Sequence, residues 1–299
     1  MSSNNTHPRV FSFGSAAEAL SYMPPRKVRS NKGDYGRVLC VCGSTGMSGA
    51  AYLAARAAYR VGAGLVEIFT HESNRVILQT SLPEAIVTCY GDSHDSAALQ
   101  TALRRANCVV AGCGLGVSPL SRALLEDLLH SVDVEATPTV LDADALNLLS
   151  QNPSLLKYAR GTVITPHALE MSRLTGKSIE DILADPQRAA SEYASSHDLI
   201  CLLKDHRTVV SDGGERIYLN TTGNSGMSTG GSGDVLSGIL GGIFAQGRNG
   251  VASPLLLTSL GAYIHGRCGD IAAAELSEYS LMASDLINAL PKVLKEKIK

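Results

Sequence analysis

Tryptophan is absent, and phenylalanine and tyrosine together supply only 5% of the chain. That leaves few flat platforms on which single-stranded bases could stack. Charge of one sign is also missing, because 26 basic residues meet 28 acidic ones for a net charge of −2. No basic face is advertised for nucleic acid, and no acidic run for a basic partner. No stretch of about 18 apolar residues occurs, which excludes a membrane-spanning helix by the usual reading. The first residues, Met1 to Pro8, lack the apolar core of a signal peptide. Paired cysteine spacing is lacking too. The seven cysteines sit mostly in apolar stretches, and their odd number argues against a disulfide framework. Cys40 and Cys42 fall on one face of a strand and read as buried thiols. Together these absences point to a reducing, cytoplasmic setting.

What is present is a 299-residue chain that is 44% hydrophobic. That suffices for a sizeable core. Residues 1–25 read as a lead-in with one short helix at Ala16 to Leu20, and residues 26–299 as a single domain. From Arg37 onward, strand and helix patterns alternate. Strands are expected at Val38 to Cys42, Leu65 to Phe69, Cys108 to Ala111, Thr139 to Leu141, Thr162 to Ile164 and Leu199 to Leu203. Helices are expected at Ala50 to Val61, Leu120 to His130, from Ala143, at Ala168 to Leu174, and from Pro186 toward His197. Asp212-Gly-Gly214 signals a hairpin between the strands Thr208 to Ser211 and Arg216 to Leu219. The last third, Gly233 to Ala289, reads as helical. The class is α/β, with a mostly parallel sheet covered on both faces.

In such sheets, ligands collect beyond the carboxyl ends of the strands. The densest loop is Thr222-Gly-Asn-Ser-Gly-Met-Ser-Thr-Gly-Gly-Ser-Gly-Asp234, with five glycines between 223 and 233. A helix follows it. Glycine allows close backbone approach to a ligand, and a helix start offers unpaired N–H groups and a positive dipole end. That combination suits phosphate, or charge developing in phosphoryl transfer. Asp234 in the first turn is placed to take a proton from an attacking hydroxyl; an acid there is also a common dipole partner. The loop is not a Walker A motif, for no Gly-Lys-Ser/Thr occurs. Gly112-Cys-Gly-Leu-Gly116 breaks the dinucleotide fingerprint at Val117.

Other strand ends also carry chemistry. Asp142 and Asp144 could hold Mg²⁺ through water, or Asp142 could cap the next helix. His167, with Glu170 one turn on, could contact substrate or phosphate or be structural. Lys204 could counter phosphate charge or be a solvated surface lysine.

Taken in order, Lys32-Gly-Asp-Tyr-Gly36, Met47-Ser-Gly-Ala-Ala51, Gly112 to Gly116, Leu141 to Leu146, Thr165-Pro-His167, Leu203-Lys204, Gly223 to Leu236, His265-Gly266 and Asp285-Leu-Ile287 resemble the NAD(P)H-hydrate dehydratases, a branch of the ribokinase-like superfamily. The resemblance implies a three-layer α/β/α sandwich. It implies an enzyme that repairs hydrated NADH and NADPH. A nucleotide, ADP or ATP, phosphorylates the ring hydroxyl with Mg²⁺ assisting, and phosphate then leaves. By position, Ala50, Gly114, Gly116, His167 and Asp234 would contact the hydrated dinucleotide, with Asp234 the catalytic base. Lys204, Asp205, His206, Arg207, Thr208, Gly231, Ser232 and Gly233 would line the nucleotide site. Asp205 stands where the family usually has glycine. The resemblance further implies a homo-oligomer, and an NAD(P)H-hydrate epimerase activity supplied by a separate chain. A second reading, a ribokinase-like kinase for a vitamin-precursor alcohol, shares the glycine loop and the aspartate.

Overall fold

The computed structural model describes residues 8–93, 95–247 and 252–296. Ten strands form one sheet. In chain order, the first half runs β1 (Arg9–Phe11), α1 (Ala16–Ser21), β2 (Arg37–Val41), α2 (Ser48–Val61), β3 (Leu65–His71), α3 (Arg75–Ser81), β4 (Ile86–Tyr90), α4 (Ser96–Leu103), β5 (Cys108–Ala111) and α5 (Pro119–Ser131). It continues with β6 (Thr139–Leu141), α6 (Asp144–Gln151), β7 (Val163–Ile164), α7 (Ala168–Thr175), α8 (Ile179–Ala184), α9 (Pro186–His197), β8 (Ile200–Leu203), β9 (Val209–Ser211) and β10 (Arg216–Leu219). The helices α10 (Ser232–Gln246), α11 (Pro254–Leu276) and α12 (Ala283–Lys295) close the chain. The sequence reads 233–289 as helical; the structure divides that stretch into these three helices.

The sheet order is β1-β10-β9-β8-β7-β6-β5-β2-β3-β4. Only β9 runs antiparallel to its neighbours, joined to β10 by the expected turn at Asp212-Gly-Gly214. Chain order reverses between β2 and β5, which pair in parallel with Val41 opposite Ala111. That reversal opens a crevice at the carboxyl edge. Strand alternation sends side chains to two cores. Val38 and Cys40 face one, with α2, α10, α11 and α12. Leu39 and Val41 face the other, with α4, α5, α6 and α9. The expected three-layer sandwich is therefore present. All seven cysteines are unbridged, and six of them are buried. Among the described residues, no helix is long and apolar enough to cross a membrane.

The expected lead-in does more than precede the sheet. Arg9, Val10 and Phe11 pair in parallel with Arg216, Ile217 and Tyr218. Phe13 is buried against Tyr218, with ring centroids 5.0 Å apart. A three-residue strand flanked by polar positions carries too little period-2 signal to be read from sequence.

One seam fixes where the site lies. The buried face of α2 is almost entirely alanine: Ala50, Ala51, Ala54, Ala55, Ala57 and Ala58. Opposite it, α10 presents glycine. A Cβ on Gly238 would lie 2.1 Å from the Ala54 carbonyl oxygen, and one on Gly242 would lie 2.3 Å from Val61 Cγ1. The two helix backbones thus touch, which brings the start of α10 beside the start of α2. Gly238→Ala should cost about 1–3 kcal/mol by overpacking. Gly230→Ala, with nothing within 4 Å of the added carbon, should stay within about 0.5 kcal/mol. Equilibrium chemical denaturation of the two variants checks this; equal stability would mean that the seam yields.

Candidate active site

Strand carboxyl ends supply the site. Gly43 follows β2, Gly112 to Gly116 follows β5, Asp142 follows β6, Thr165 to His167 follows β7, and Lys204 follows β8. The seam adds the N-terminus of α10. Its cap position, Gly231, takes φ 89°, and no side chain caps the helix. A left-handed residue is needed there, and glycine adopts it without steric cost. The uncapped first turn leaves N–H groups for an anion, with Asp234 among them.

Beside this helix start lies a cleft of about 780 Å³. Its lining includes His167, Lys204, Asp205, His206, Thr208, Ser232 and Gly233. Most of the residues expected at a nucleotide site are therefore gathered in one place. Arg207 is exposed and is not part of the lining. Gly231 is the helix cap and also stands outside the lining. Asp205 is not a bare charge, because its Oδ2 lies 3.1 Å from His206 Nδ1.

Of the residues expected to hold the dinucleotide, Ala50, Gly114 and Gly116 gather at the crevice between β2 and β5. A Cβ on Gly114, which has φ 61°, would lie 2.8 Å from Ala50 Cβ. Gly116 N donates to Asp144 Oδ2 at 2.7 Å. Asp144 thereby braces the loop. His167 stands apart from this group, on the cleft. Its Nδ1 accepts from the Glu170 backbone N–H at 3.2 Å, while Glu170 Oε2 accepts from His167 N at 2.8 Å. This reciprocal cap fixes the ring with Nδ1 as acceptor, so Nε2 carries the proton of the neutral form. Burial pushes the His167 pKa down against the raising effect of Glu170.

Asp142 and Lys204 form the electrostatic centre. Asp142 is 1% exposed. Its Oδ1 accepts from Lys204 Nζ at 2.9 Å and its Oδ2 from Ser237 Oγ at 2.7 Å. Lys204 Nζ also lies 3.7 Å from Glu170 Oε2. Burial alone would raise the Asp142 pKa, but the Lys204 charge and the two hydrogen bonds hold it below the usual carboxylate range. Burial alone would lower the Lys204 pKa; Asp142 and Glu170 outweigh it and push it up. Both directions describe one intact ion pair. Lys204 is thus not a solvated surface lysine, and Asp142 does not cap α6, which has no side-chain cap.

Asp234 behaves differently. Burial, then the like charge of Asp142, raises its pKa to about 6; a hydrogen bond from Cys113 and the charge of Lys204 oppose the rise. The carboxylate therefore holds its proton well above the ordinary aspartate range. Burial likewise lowers the His265 pKa to about 4, so the ring is neutral at pH 7, with Nε2 2.9 Å from the Ser232 carbonyl.

Cys113, Asp142 and Asp234 bring a sulfur and two carboxylate oxygens within 4.8 Å of one another. This set does not suit Mg²⁺, which demands oxygen ligands in near-octahedral array. One donor is a soft thiol, whose pKa a hydrogen bond with Cys42 and burial raise. Both Asp142 oxygens are already taken by protein donors.

With this geometry in view, kinship is informative. Residues 38–292 match the Carb_kinase family, described as NAD(P)H-hydrate dehydratase. The chain belongs to that family. It is 40% identical over 289 residues to the bifunctional NAD(P)H-hydrate repair enzyme Nnr of Moorella thermoacetica, covering 94% of this chain and 53% of that protein. It thus spans about half the length of the bifunctional relatives. It is 36% identical over 246 residues to the ADP-dependent (S)-NAD(P)H-hydrate dehydratase of Neisseria meningitidis, covering 81% of this chain and 79% of the other. Among solved structures, a ribokinase-like superfamily protein from Enterococcus faecalis superposes with a TM-score of 0.84 at 30% identity over 96% of each chain. The ADP/ATP-dependent NAD(P)H-hydrate dehydratase of Bacillus subtilis, co-crystallised with ATP/Mg²⁺, gives 0.79 at 27% identity, covering 99% of this chain and 100% of that one.

For this NAD(P)H-hydrate dehydratase family member, the loop after β10 is tied down by contacts that the sequence does not reveal. Asn220 Nδ2 donates to the carbonyls of Thr222 and Ala262. Gly223 N and Asn224 Nδ2 donate to Asp270 of α11 at 3.1 and 3.2 Å. These bonds tie the glycine loop to α11. Ser237 had a local signal: it lies one turn after Asp234, on the same helix face. Cys113 had none.

Lys204→Ala should leave Asp142 buried without its cation. The expected cost is about 3 kcal/mol at pH 8, by analogy with other broken buried pairs. Asp142 has a depressed folded pKa, so the pair's contribution is present above the unfolded carboxylate pKa and lost as pH falls through the folded one. Hence the gap from the unmodified protein should shrink in strong acid. Denaturation at several pH values measures it, and a gap independent of pH would contradict the pairing.

Proposed function

We propose that this chain uses ADP or ATP to repair hydrated NADH and NADPH. The observation that carries the reading is the buried Asp234 carboxylate in the first turn of a bare helix N-terminus, where Ser232 and Gly233 line a cleft of about 780 Å³ and Gly114 meets Ala50 at the start of the neighbouring helix. The hydrated ring lies in the crevice and presents its hydroxyl to Asp234. The nucleotide lies in the cleft, with its terminal phosphate toward Gly233 and Lys204. A Cβ at Gly233 would stand only 3.4 Å from Lys204 Nζ, so glycine keeps that approach open. Asp234 accepts the hydroxyl proton as the oxygen bonds to phosphorus and the bridging P–O bond breaks. The N–H groups of α10 and the Lys204 ammonium stabilise the charge on the transferring group. Loss of phosphate and a ring proton then restores the double bond. ADP would yield AMP.

Mg²⁺ is proposed to arrive with the nucleotide phosphates, in keeping with how the ion is commonly held at such sites. The relatives named as repair enzymes favour this reading over a kinase for a vitamin-precursor alcohol, which would release a stable phosphoester. A homo-oligomer and functional coupling to an NAD(P)H-hydrate epimerase belong to the same proposal.

The decisive assay follows absorbance at the reduced-nicotinamide band with hydrated NADH, Mg²⁺ and either ADP or ATP. A rise with phosphate release is expected; binding of nucleotide without a rise would turn the search to alcohol substrates. Asp234→Asn should lower turnover at least about 100-fold with nucleotide affinity little changed. The raised carboxyl pKa fixes the sign of the pH dependence: below about pH 6 Asp234 holds a proton and cannot accept another, so kcat/KM should fall toward acid. A flat profile through pH 5 would remove Asp234 from the base role.

A further inference from the structure

We propose that Asp142 is a positioning residue for this reaction: its buried carboxylate holds the Lys204 ammonium at the head of the cleft and sets the electrostatic field at the Asp234 carboxyl. The inference rests on the reading of Asp234 as the base, and it gives Asp142 a function other than metal binding or helix capping.

The geometry leaves Asp142 no direct part in chemistry. It is 1% exposed, and both oxygens accept from protein donors, Lys204 Nζ at 2.9 Å and Ser237 Oγ at 2.7 Å. A side chain so enclosed touches neither substrate nor nucleotide. Yet an Asp142 oxygen lies within 4.8 Å of an Asp234 oxygen, and Ser237 ties Asp142 to the same helix that carries Asp234. Its position is therefore coupled to the base through one turn of α10. The cation is held from two sides, by Asp142 and, at 3.7 Å, by Glu170 Oε2. Two buried acids share one lysine. The ammonium has three donors and a fixed place, while Gly233 opens the way to it.

The charged and titratable groups around Asp234 are Asp142 and Asp144 after β6, Lys204 after β8, Cys113 after β5 and Cys42 after β2. Among them Asp142 is the largest charged influence raising proton affinity, second only to burial, and Lys204 opposes it. Removing the Asp142 charge leaves Lys204 acting on Asp234 with less opposition. Asp234 then becomes a weaker base.

The test is Asp142→Asn in the full chain, with kcat and kcat/KM measured from pH 4.5 to 8. The acidic limb should move toward lower pH by about one unit, with kcat at pH 7 reduced about tenfold or more. A fall in kcat with the limb unmoved, or an unchanged kcat, overturns the proposal. Circular dichroism checks folding. The double variant Asp142→Asn, Lys204→Met removes both buried charges together and guards against collapse from an unpaired cation. In the Asp142→Asn variant a carboxyl ¹³C NMR titration of Asp234 needs no turnover and should move to lower pH, and in the double variant, which also removes the opposing Lys204 charge, by less; an unmoved titration in Asp142→Asn overturns the coupling. If the unmodified protein makes no reduced nicotinamide, the repair reading fails, while the titration still decides whether Asp142 controls Asp234.

Discussion

A carboxylate with almost no exposure to water can stay ionised only if the protein supplies a cation and hydrogen-bond donors in place of solvent. Asp142 is that carboxylate, and meeting its needs organises the site. The cation comes from the end of β8, the hydroxyl from one turn inside α10, and a second acid from the first turn of α7. Four elements distant in sequence are thereby locked at one point. The lock forms at the carboxyl edge of the sheet, where adjacent parallel strands end together and their loops meet.

The lock would have nothing to act on without the seam between α2 and α10. Alanine on one helix and glycine on the other let their backbones touch. That contact sets the uncapped start of α10 beside the start of α2, with Gly233 next to Lys204 and Asp142. Bulkier residues in the seam would lift the helix start away from both. The small residues give up side-chain burial, which larger apolar residues would have used to add stability. Their placement is explained by the site more directly than by the core.

Much of this was legible in the sequence. Strand and helix periods alternate plainly after Arg37, and glycine followed by aspartate at a helix start announces an anion site. The loops were readable because backbone demands select residue types: positive φ at Gly114 and Gly231 leaves glycine as the natural choice. What stayed hidden depends on tertiary meeting. Nothing local to Asp142 reveals that its partners are 62 and 95 residues away. For Asp142 the sequence left open metal ligation or capping; the fold removes the cap and places the carboxylate in a buried ion pair with Lys204. Arg9 to Phe11 was missed for a related reason, since a three-residue edge strand draws its order from β10. Arg207 shows a limit of the same reading: adjacency in a strand-end loop does not ensure a place on the cleft lining, because neighbours along a turn can face opposite ways.

Two aspartates within one small volume have been driven in opposite directions. Asp142, given a lysine and a serine, is held low; Asp234, given burial and a like charge, is raised to about 6. Separation of this kind is how one site maintains a fixed charge and a working base together. A base matched to neutral pH is stronger than an ordinary aspartate, yet remains mostly ionised at pH 7. If Asp142 were neutral, Asp234 would ionise more readily and hold a proton less well. If Lys204 were absent, the cluster would carry an excess of negative charge beside the bare start of α10. Neither aspartate can therefore be understood by itself: the charge that Lys204 fixes on Asp142 adds to burial in raising the Asp234 pKa.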